Sequence, residues 1–408
     1  MAYSCLNGRL RSLPGLDEGT KSYVSATPCT LPHGLITTHE VSFSEEPSLV
    51  EVNRLKGEII IDHCWTKVQC SQHVESDIII LMVLTRLRGE NIPSLASTLR
   101  IRWRLEPNLA IGSKRDSIDE AFPYRKDITL PLNCSSLVAN KNLLAIASSS
   151  GVIVFQLQDL IVDSDESQEN GSENHDRISH DAIPSFRMLN TFVIHAMGIS
   201  DNYFVAVSGE RLGVWSVSKI IDAFEHKSCA AEWSTNLEGR SGRVTCIRIS
   251  NSINANNVIL AICSWDGSAI IFQGGADTIW NRITGPIQND EHAAAEIENP
   301  IWEQSPLGSS QDHSPVFAEI IELSNFNFLG TVLILASAKS AFLRLFLVES
   351  GREKVITLSG NDDSKTVEGM ARLQNSSDQS YGFAYIDSAD KIGVIQKETI
   401  RNVFLAGS

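Results

Sequence analysis

His63, Cys64, Cys70 and His73 fall in one short span that also holds Trp65. Imidazole and thiolate are the usual ligands of tetrahedral Zn²⁺, so a metal is the first chemistry to weigh. The spacing argues against it. The span has no paired Cys-x2-Cys knuckle. It reads as a strand, where neighbouring side chains point to opposite faces. His63 and Cys64 then cannot share one ion, and neither a metal nor a cofactor is expected.

Nucleophilic and phosphate chemistry leave no clearer trace. The chain holds no Gly-x4-Gly-Lys-Ser/Thr, no Gly-x-Ser-x-Gly and no His-Glu-x2-His. Gly239-Arg240-Ser241-Gly242 is followed by strand-like sequence, not by the helix a phosphate loop requires. The Asp and Glu residues are scattered, and an acid–base pair needs a geometry that spacing alone does not supply. No catalytic residue is assigned, and the expectation is a protein that is not an enzyme.

The elements that would position any site are strands. Val258 to Cys263 is almost continuously apolar, as in a strand buried on both faces. Asp266-Gly267 is a tight-turn dipeptide, since glycine accepts positive φ at little cost. Ala269 to Phe272 then returns, while Val244, Cys246 and Ile249 form a preceding half-buried strand. Related hairpins recur at Leu143–Ser148 with Gly151–Phe155, and at Tyr203–Ser208 with Arg211–Trp215. Val332–Ala336 with Phe342–Val348, and Gly382–Ile386 with Ile392–Ile395, are further pairs. Near the N-terminus, Ile78–Leu84 and Leu99–Leu105 flank a longer loop carrying Pro93.

The stretch Gly239–Gln273 resembles one WD40 repeat, the unit of a β-propeller blade. In that family a His, a Ser/Thr, a turn Asp and a strand Trp link each blade through hydrogen bonds. The resemblance gives Ser264 and Asp266 two of those roles, beside Trp265. Arg240 stands where the His would be, and Phe272 where the Trp would be. Trp215 ends its strand where such repeats place Trp. These six residues are expected to be structural. The resemblance implies an all-β propeller over residues 1–408, most simply of seven four-stranded blades, with six or eight as alternatives. The hairpins recur at roughly 50–75 residues, longer than the ~40–45 of a compact blade, so inserted loops are expected. Leu35–Phe43 and Ile59–Val68 are expected to build the seventh blade, closed by a C-terminal strand over Ile400–Leu405, which would remove exposed sheet edges. The main helical candidate is Lys219–Trp233.

Two segments read as loop insertions. Residues 163–181 (DSDESQENGSENHDRISHD) are acidic and nearly devoid of apolar side chains, so they cannot offset the entropy of ordering. Ser164 and Ser167 lie there in kinase-like acidic surroundings. Residues 285–315 are rich in Pro, Gly and Ser and carry Ile301-Trp302, an apolar pair that either tucks against the fold or contacts a partner.

The 408 residues are 42% hydrophobic, enough for a real core, and carry a net charge of −15. Direct nucleic-acid binding is therefore not expected, because phosphate contacts need clustered Lys and Arg. The one alternating basic run, Arg100-Ile101-Arg102-Trp103-Arg104, reads as a solvated strand face or a row of intrachain salt bridges. Met1-Ala2-Tyr3-Ser4-Cys5 lacks the order of a secretory leader, and no apolar run approaches the ~18–20 residues of a membrane span. Membrane attachment is not expected. Eight cysteines without a leader point to a reducing compartment, cytoplasm or nucleus, with Cys246 and Cys263 as buried thiols and no disulfides.

The functional expectation is a non-catalytic protein–protein interaction scaffold, a subunit of an intracellular multiprotein complex. Two alternatives stand beside it. One is a propeller that holds a histone or other basic client through the acidic loop. The other is a propeller-fold hydrolase.

Overall fold

The computed structural model describes residues 9–13, 21–28, 34–43, 45–69, 77–87, 96–105, 122, 124–130, 133–161, 178–179, 185–188, 193–209, 211–226, 229–237, 244–251, 258–264, 269–275, 278–282, 316–325, 328–337, 342–348, 350–358, 367–374 and 380–406. The fold is a seven-bladed β-propeller of small sheets, mostly strand with few helices, in which sequential strands pair antiparallel. The chain divides into two compact units, Met1–Asn236 and Leu237–Ser408.

The first unit holds four sheets. β1 (Leu10–Ser12), β2 (Ser22–Ala26), β3 (Leu35–Val41) and β4 (Ser48–Arg54) form the first, in chain order. β5 (Glu58–Gln69), β6 (Asp77–Leu87), β7 (Ser97–Leu105) and β8 (Tyr124–Leu130) form the second. The third holds β9 (Cys134–Ala139), β10 (Leu143–Ser148) and β11 (Gly151–Gln156), followed by helix α1 (Leu157–Ile161). β12 (Ile178–Ser179) pairs in parallel with β8, and β13 (Ser185–Met188) completes the third sheet beside β11. β14 (Ile194–Ile199), β15 (Tyr203–Ser208), β16 (Arg211–Ser216) and, after helix α2 (Val217–His226), β17 (Trp233–Asn236) make the fourth. The first strands β1, β5, β9 and β14 lie next to one another in that order.

The second unit holds three sheets. β18 (Val244–Asn251), β19 (Val258–Ser264), β20 (Ala269–Gly275) and β21 (Thr278–Arg282) are followed by β22 (Val316–Asn325), β23 (Phe328–Ser337), β24 (Phe342–Leu347) and β25 (Arg352–Thr357). β26 (Val367–Gln374), β27 (Ser380–Asp387) and β28 (Ile392–Gln396) end in helix α3 (Lys397–Leu405). Here β18, β22 and β26 are the adjacent first strands.

The apolar runs of the middle strands follow from burial on both faces. On β6, Ile80, Met82 and Leu84 pack with Leu137, Leu144 and Ile146 of the third sheet. Their neighbours Ile79, Leu81 and Val83 pack with Leu13, Tyr23 and Ile36 of the first. Cores of this kind, at roughly 1.5–3 kcal/mol for each large apolar side chain buried, hold successive sheets face to face.

The same local device opens the hairpins of the third and fourth sheets. Asn140 Oδ1 accepts from the backbone N–H of Asn142 and Leu143 at 2.9 and 2.8 Å. Sixty residues on, Ser200 Oγ accepts from the Tyr203 N–H at 3.1 Å. Asn140 Nδ2 also donates to the Ser200 carbonyl at 2.8 Å, tying one turn to the next. Short Asx and Ser turns of this type start strands without a long loop. In both sheets the hairpin then runs straight into a helix, as it does again at α3.

The structure corrects three sequence expectations. Ile400–Leu405 is not a closing strand. Ile400 and Phe404 sit four residues apart on the buried face of α3, a helical spacing rather than an alternation. The helix expected over Lys219–Trp233 is Val217–His226, and Trp233 begins β17. Leu35–Phe43 and Ile59–Val68 do not share a blade. The first contributes β3 and the second β5, with the break at Gly57, whose φ of 75° favours a residue without a side chain. Of residues 163–181 only Ile178–Ser179 is described, as β12, and residues 285–315 lie outside the described residues.

Candidate functional site

A polar cluster that resembles catalytic machinery lies between the first three sheets of the N-terminal unit. Ser25 comes from β2, and Asp62, His63 and Trp65 come from β5. His63 and Trp65 are two residues apart, so both face the first sheet. There Ser25 Oγ lies 2.8 Å from His63 Nε2 and accepts from Trp65 Nε1, also at 2.8 Å. Asp62 accepts from the backbone N–H of His63 at 2.8 Å and of Leu137 at 3.0 Å, and pairs with Arg11 at 3.0 Å. Arg11 Nε also donates to the His63 carbonyl at 3.0 Å.

A serine within hydrogen-bond reach of a histidine is the geometric starting point of nucleophilic catalysis. Two facts turn this pair into architecture. Ser25 and His63 are both 0% exposed, so no substrate meets the hydroxyl. Asp62 gives its carboxylate to backbone N–H groups and Arg11 instead of the imidazole ring, so it does not orient a base. The cluster joins three sheets.

Cys64 points the other way, into the core shared with the third sheet. Burial pushes its thiol well above the ordinary cysteine range. His63 and Cys64 therefore serve opposite faces. Cys70 and His73 lie outside the described residues. Among the described residues no group of three or more His, Cys, Asp or Glu is placed to hold a metal ion.

The alternating arginines of β7 form a row of intrachain salt bridges. Arg100 binds Glu58, with Nε at 2.8 Å, and places Nη1 2.5 Å from Asp127, its cross-strand partner on β8. Arg102 reaches the other oxygen of Asp127 at 2.6 Å and is 1% exposed. Arg104 lies 3.6 Å from Glu51 of β4, with its guanidinium 4.7 Å from the centre of the Phe122 ring. These charges are closed within the unit.

The residues matched to the WD40 pattern are only partly described. Ser264 ends β19 at 2% exposure, and Phe272 lies in β20 at 5%. Arg240, Trp265 and Asp266 lie outside the described residues, as do Ile301 and Trp302. Trp215 is 1% exposed, tilted against Phe204 with ring centres 5.7 Å apart, and its Nε1 donates to the Cys229 carbonyl at 3.4 Å. Its ring crowds Gly213, where a Cβ would stand 2.4 Å from the nearest ring carbon. The Trp215 indole proton is thus spent on a backbone carbonyl. Ser25 carries no spacing signal and escapes sequence reasoning. The shared face of His63 and Trp65 is the one clue that these two act together.

No family model matches the chain, and no curated protein matches it. Solved structures do. The chain is similar to BBS1N, solved in complex with ARL6DN, with a TM-score of 0.52 at 8% identity over 96% of this chain and 92% of that one. It is also similar to the WD40 beta-propeller domain of Doa1, with a TM-score of 0.46 at 12% identity over 94% and 91%. The periplasmic gluconolactonase of Pseudomonas aeruginosa gives 0.46 at 11% identity over 86% and 84%. At such identities the likeness concerns the fold alone. Among the described residues no helix is long and apolar enough to cross a membrane.

Proposed function

We propose that this chain is a WD40-like propeller acting as a non-catalytic scaffold, a subunit of an intracellular multiprotein complex. Nuclear pore, chromatin, RNA-processing and degradation assemblies are the settings that suit it, in nucleus or cytoplasm. The observation that carries the reading is the burial of Ser25 and His63. The pair best placed for nucleophilic chemistry among the described residues is sealed inside the sheets. The arginines of β7 are likewise committed within the chain. A fold that spends the Ser25–His63 pair and the β7 arginines on its own cohesion suits binding rather than turnover. BBS1N, which shares the fold, was captured with a protein partner, and protein partners are the reading taken here. Ile301 and Trp302 remain candidate contacts, as does residues 163–181 for a basic client.

The test is gentle affinity purification of the full chain from its native cells at near-physiological salt, with identification of what co-purifies in stoichiometric amount. A fixed set of partners supports the scaffold and names the assembly. A chain recovered alone, as a monomer that turns over a lactone or ester, overturns it. Binding that weakens steeply with salt and with deletion of residues 163–181 selects the basic-client alternative.

A further inference from the structure

We propose that Cys246 and Cys263 are an oxidation site, a thiol pair that peroxide closes to a disulfide across β18 and β19. The two residues are direct cross-strand partners in the β18–β19 ladder. Directly opposed residues in an antiparallel pair have Cβ atoms about 4.5–5.5 Å apart, and a disulfide needs about 3.5–4.5 Å, so closure asks for a small approach of the strands. The ladder is already irregular there. The register shifts between Val244 and Cys246, and Thr245 Oγ1 donates to the Cys263 carbonyl at 3.2 Å. A bulge of this kind bends its strand and loosens the ladder locally.

Both side chains face one core, with 0% exposure each. Cys246 Sγ also donates to the Ala318 carbonyl at 3.9 Å. The pair is asymmetric. Interaction with the Cys263 thiol, joined by the Arg248 guanidinium on the same strand face, outweighs burial and lowers the Cys246 thiol below the ordinary cysteine value. The same contact, together with burial, raises Cys263. Arg248 is fixed by Glu319 at 2.7 Å. The arrangement thus supplies an attacking sulfur and, directly opposite, a resolving one.

The step balances with hydrogen peroxide as oxidant. The Cys246 thiolate attacks one peroxide oxygen, the O–O bond breaks, and hydroxide leaves, giving Cys246 sulfenic acid. The Cys263 sulfur then attacks the Cys246 sulfur, and the sulfenic oxygen departs as water with the Cys263 proton. Two thiols are oxidised, one peroxide is reduced, and two waters form. Because the pair is closed to solvent, oxidation passes through local opening of the hairpin and is slower than that of an exposed thiol.

The test uses the folded full-length protein. It is treated with hydrogen peroxide, quenched with catalase, unfolded in an alkylating reagent and digested with trypsin. The expected product is Val244–Arg248 joined to Ile249–Arg282, about 2 Da lighter than the two reduced peptides together and separated again by dithiothreitol. In Cys263→Ala, Cys246 should instead accumulate as a sulfenic acid trapped by dimedone. If both cysteines are recovered alkylated after peroxide has oxidised other cysteines of the chain, the proposal fails. It also fails if Cys246 advances to sulfinic acid in the wild-type protein while Cys263 stays free. The wild-type mapping decides the matter even where the variant folds poorly.

Discussion

Ser25 Oγ and His63 Nε2 lie 2.8 Å apart with no solvent around them, and the Trp65 indole donates to the same hydroxyl. Removing that oxygen leaves a buried indole N–H facing a methyl group. Ser25→Ala is therefore expected to cost about 1–3 kcal/mol, read as a lower urea midpoint with an unchanged slope. In the native protein a fluorophosphonate probe should not label Ser25. Labelling would reopen the hydrolase reading.

The aromatic that covers Gly213 yields a sharper structural expectation. A methyl group at that position would stand 2.4 Å from the Trp215 ring, so Gly213→Ala should displace it and destabilise the protein by about 1–3 kcal/mol. Gly393, where a Cβ would meet the Tyr385 ring at 2.2 Å, should behave alike. Trp215 fluorescence shifted to the red in Gly213→Ala is the accompanying signature. An unshifted spectrum with full stability would show that the ring has room to move.

Asp127 serves two arginines at once. Asp127→Ala takes away the carboxylate 2.6 Å from the buried Arg102 guanidinium, which also donates to the backbone carbonyls of Ile101 and Lys126. Since Asp127 itself is partly exposed, the expected loss is about 2 kcal/mol, below that of a fully buried pair. Arg102→Met combined with Asp127→Ala should recover part of it. Additive losses in a double-mutant cycle would mean that the two residues do not interact.

Burial holds the His39 imidazole below its ordinary value. The unfolded chain then takes up a proton at a pH where the folded chain does not. Stability should fall as pH drops below about 6.5 and level off once the folded imidazole is also charged. Above that range His39 contributes no slope. His39→Gln is expected to flatten this limb in urea titrations between pH 7 and 5, and an unaltered limb would assign it to other groups.

How much of this was legible in the sequence depends on whether the signal is local. The hairpin Leu143–Phe155 is visible because an apolar run, a Ser/Gly turn and a second run are contiguous, and the structure pairs them from Leu143 with Gln156 to Ser148 with Gly151. Arg100, Arg102 and Arg104 announce their shared face by alternation, and one of the two readings of that face, the salt-bridge row, is the one formed. The C-terminal helix was hidden because the contiguous Val403-Phe404-Leu405 reads as a short strand as readily as it completes a helical face with Ile400. The Ser25–His63 contact was not legible at all. It joins residues 38 apart on different sheets, and neither neighbourhood carries a sign of the other. The opposite facing of His63 and Cys64 was legible for a local reason, the alternation of side chains along a strand.

Asp62 touches three consecutive sheets, through Arg11 on β1, its own β5 neighbour His63, and Leu137 on β9. Two of those bonds span 51 and 75 residues of chain. Such closures come at an entropic cost that must be met before the contact rewards it. The carboxylate can gather all its partners only after three sheets have docked, which places it late on the folding route. Losing it should then quicken unfolding far more than it slows folding, making Asp62 a determinant of how long the native state persists.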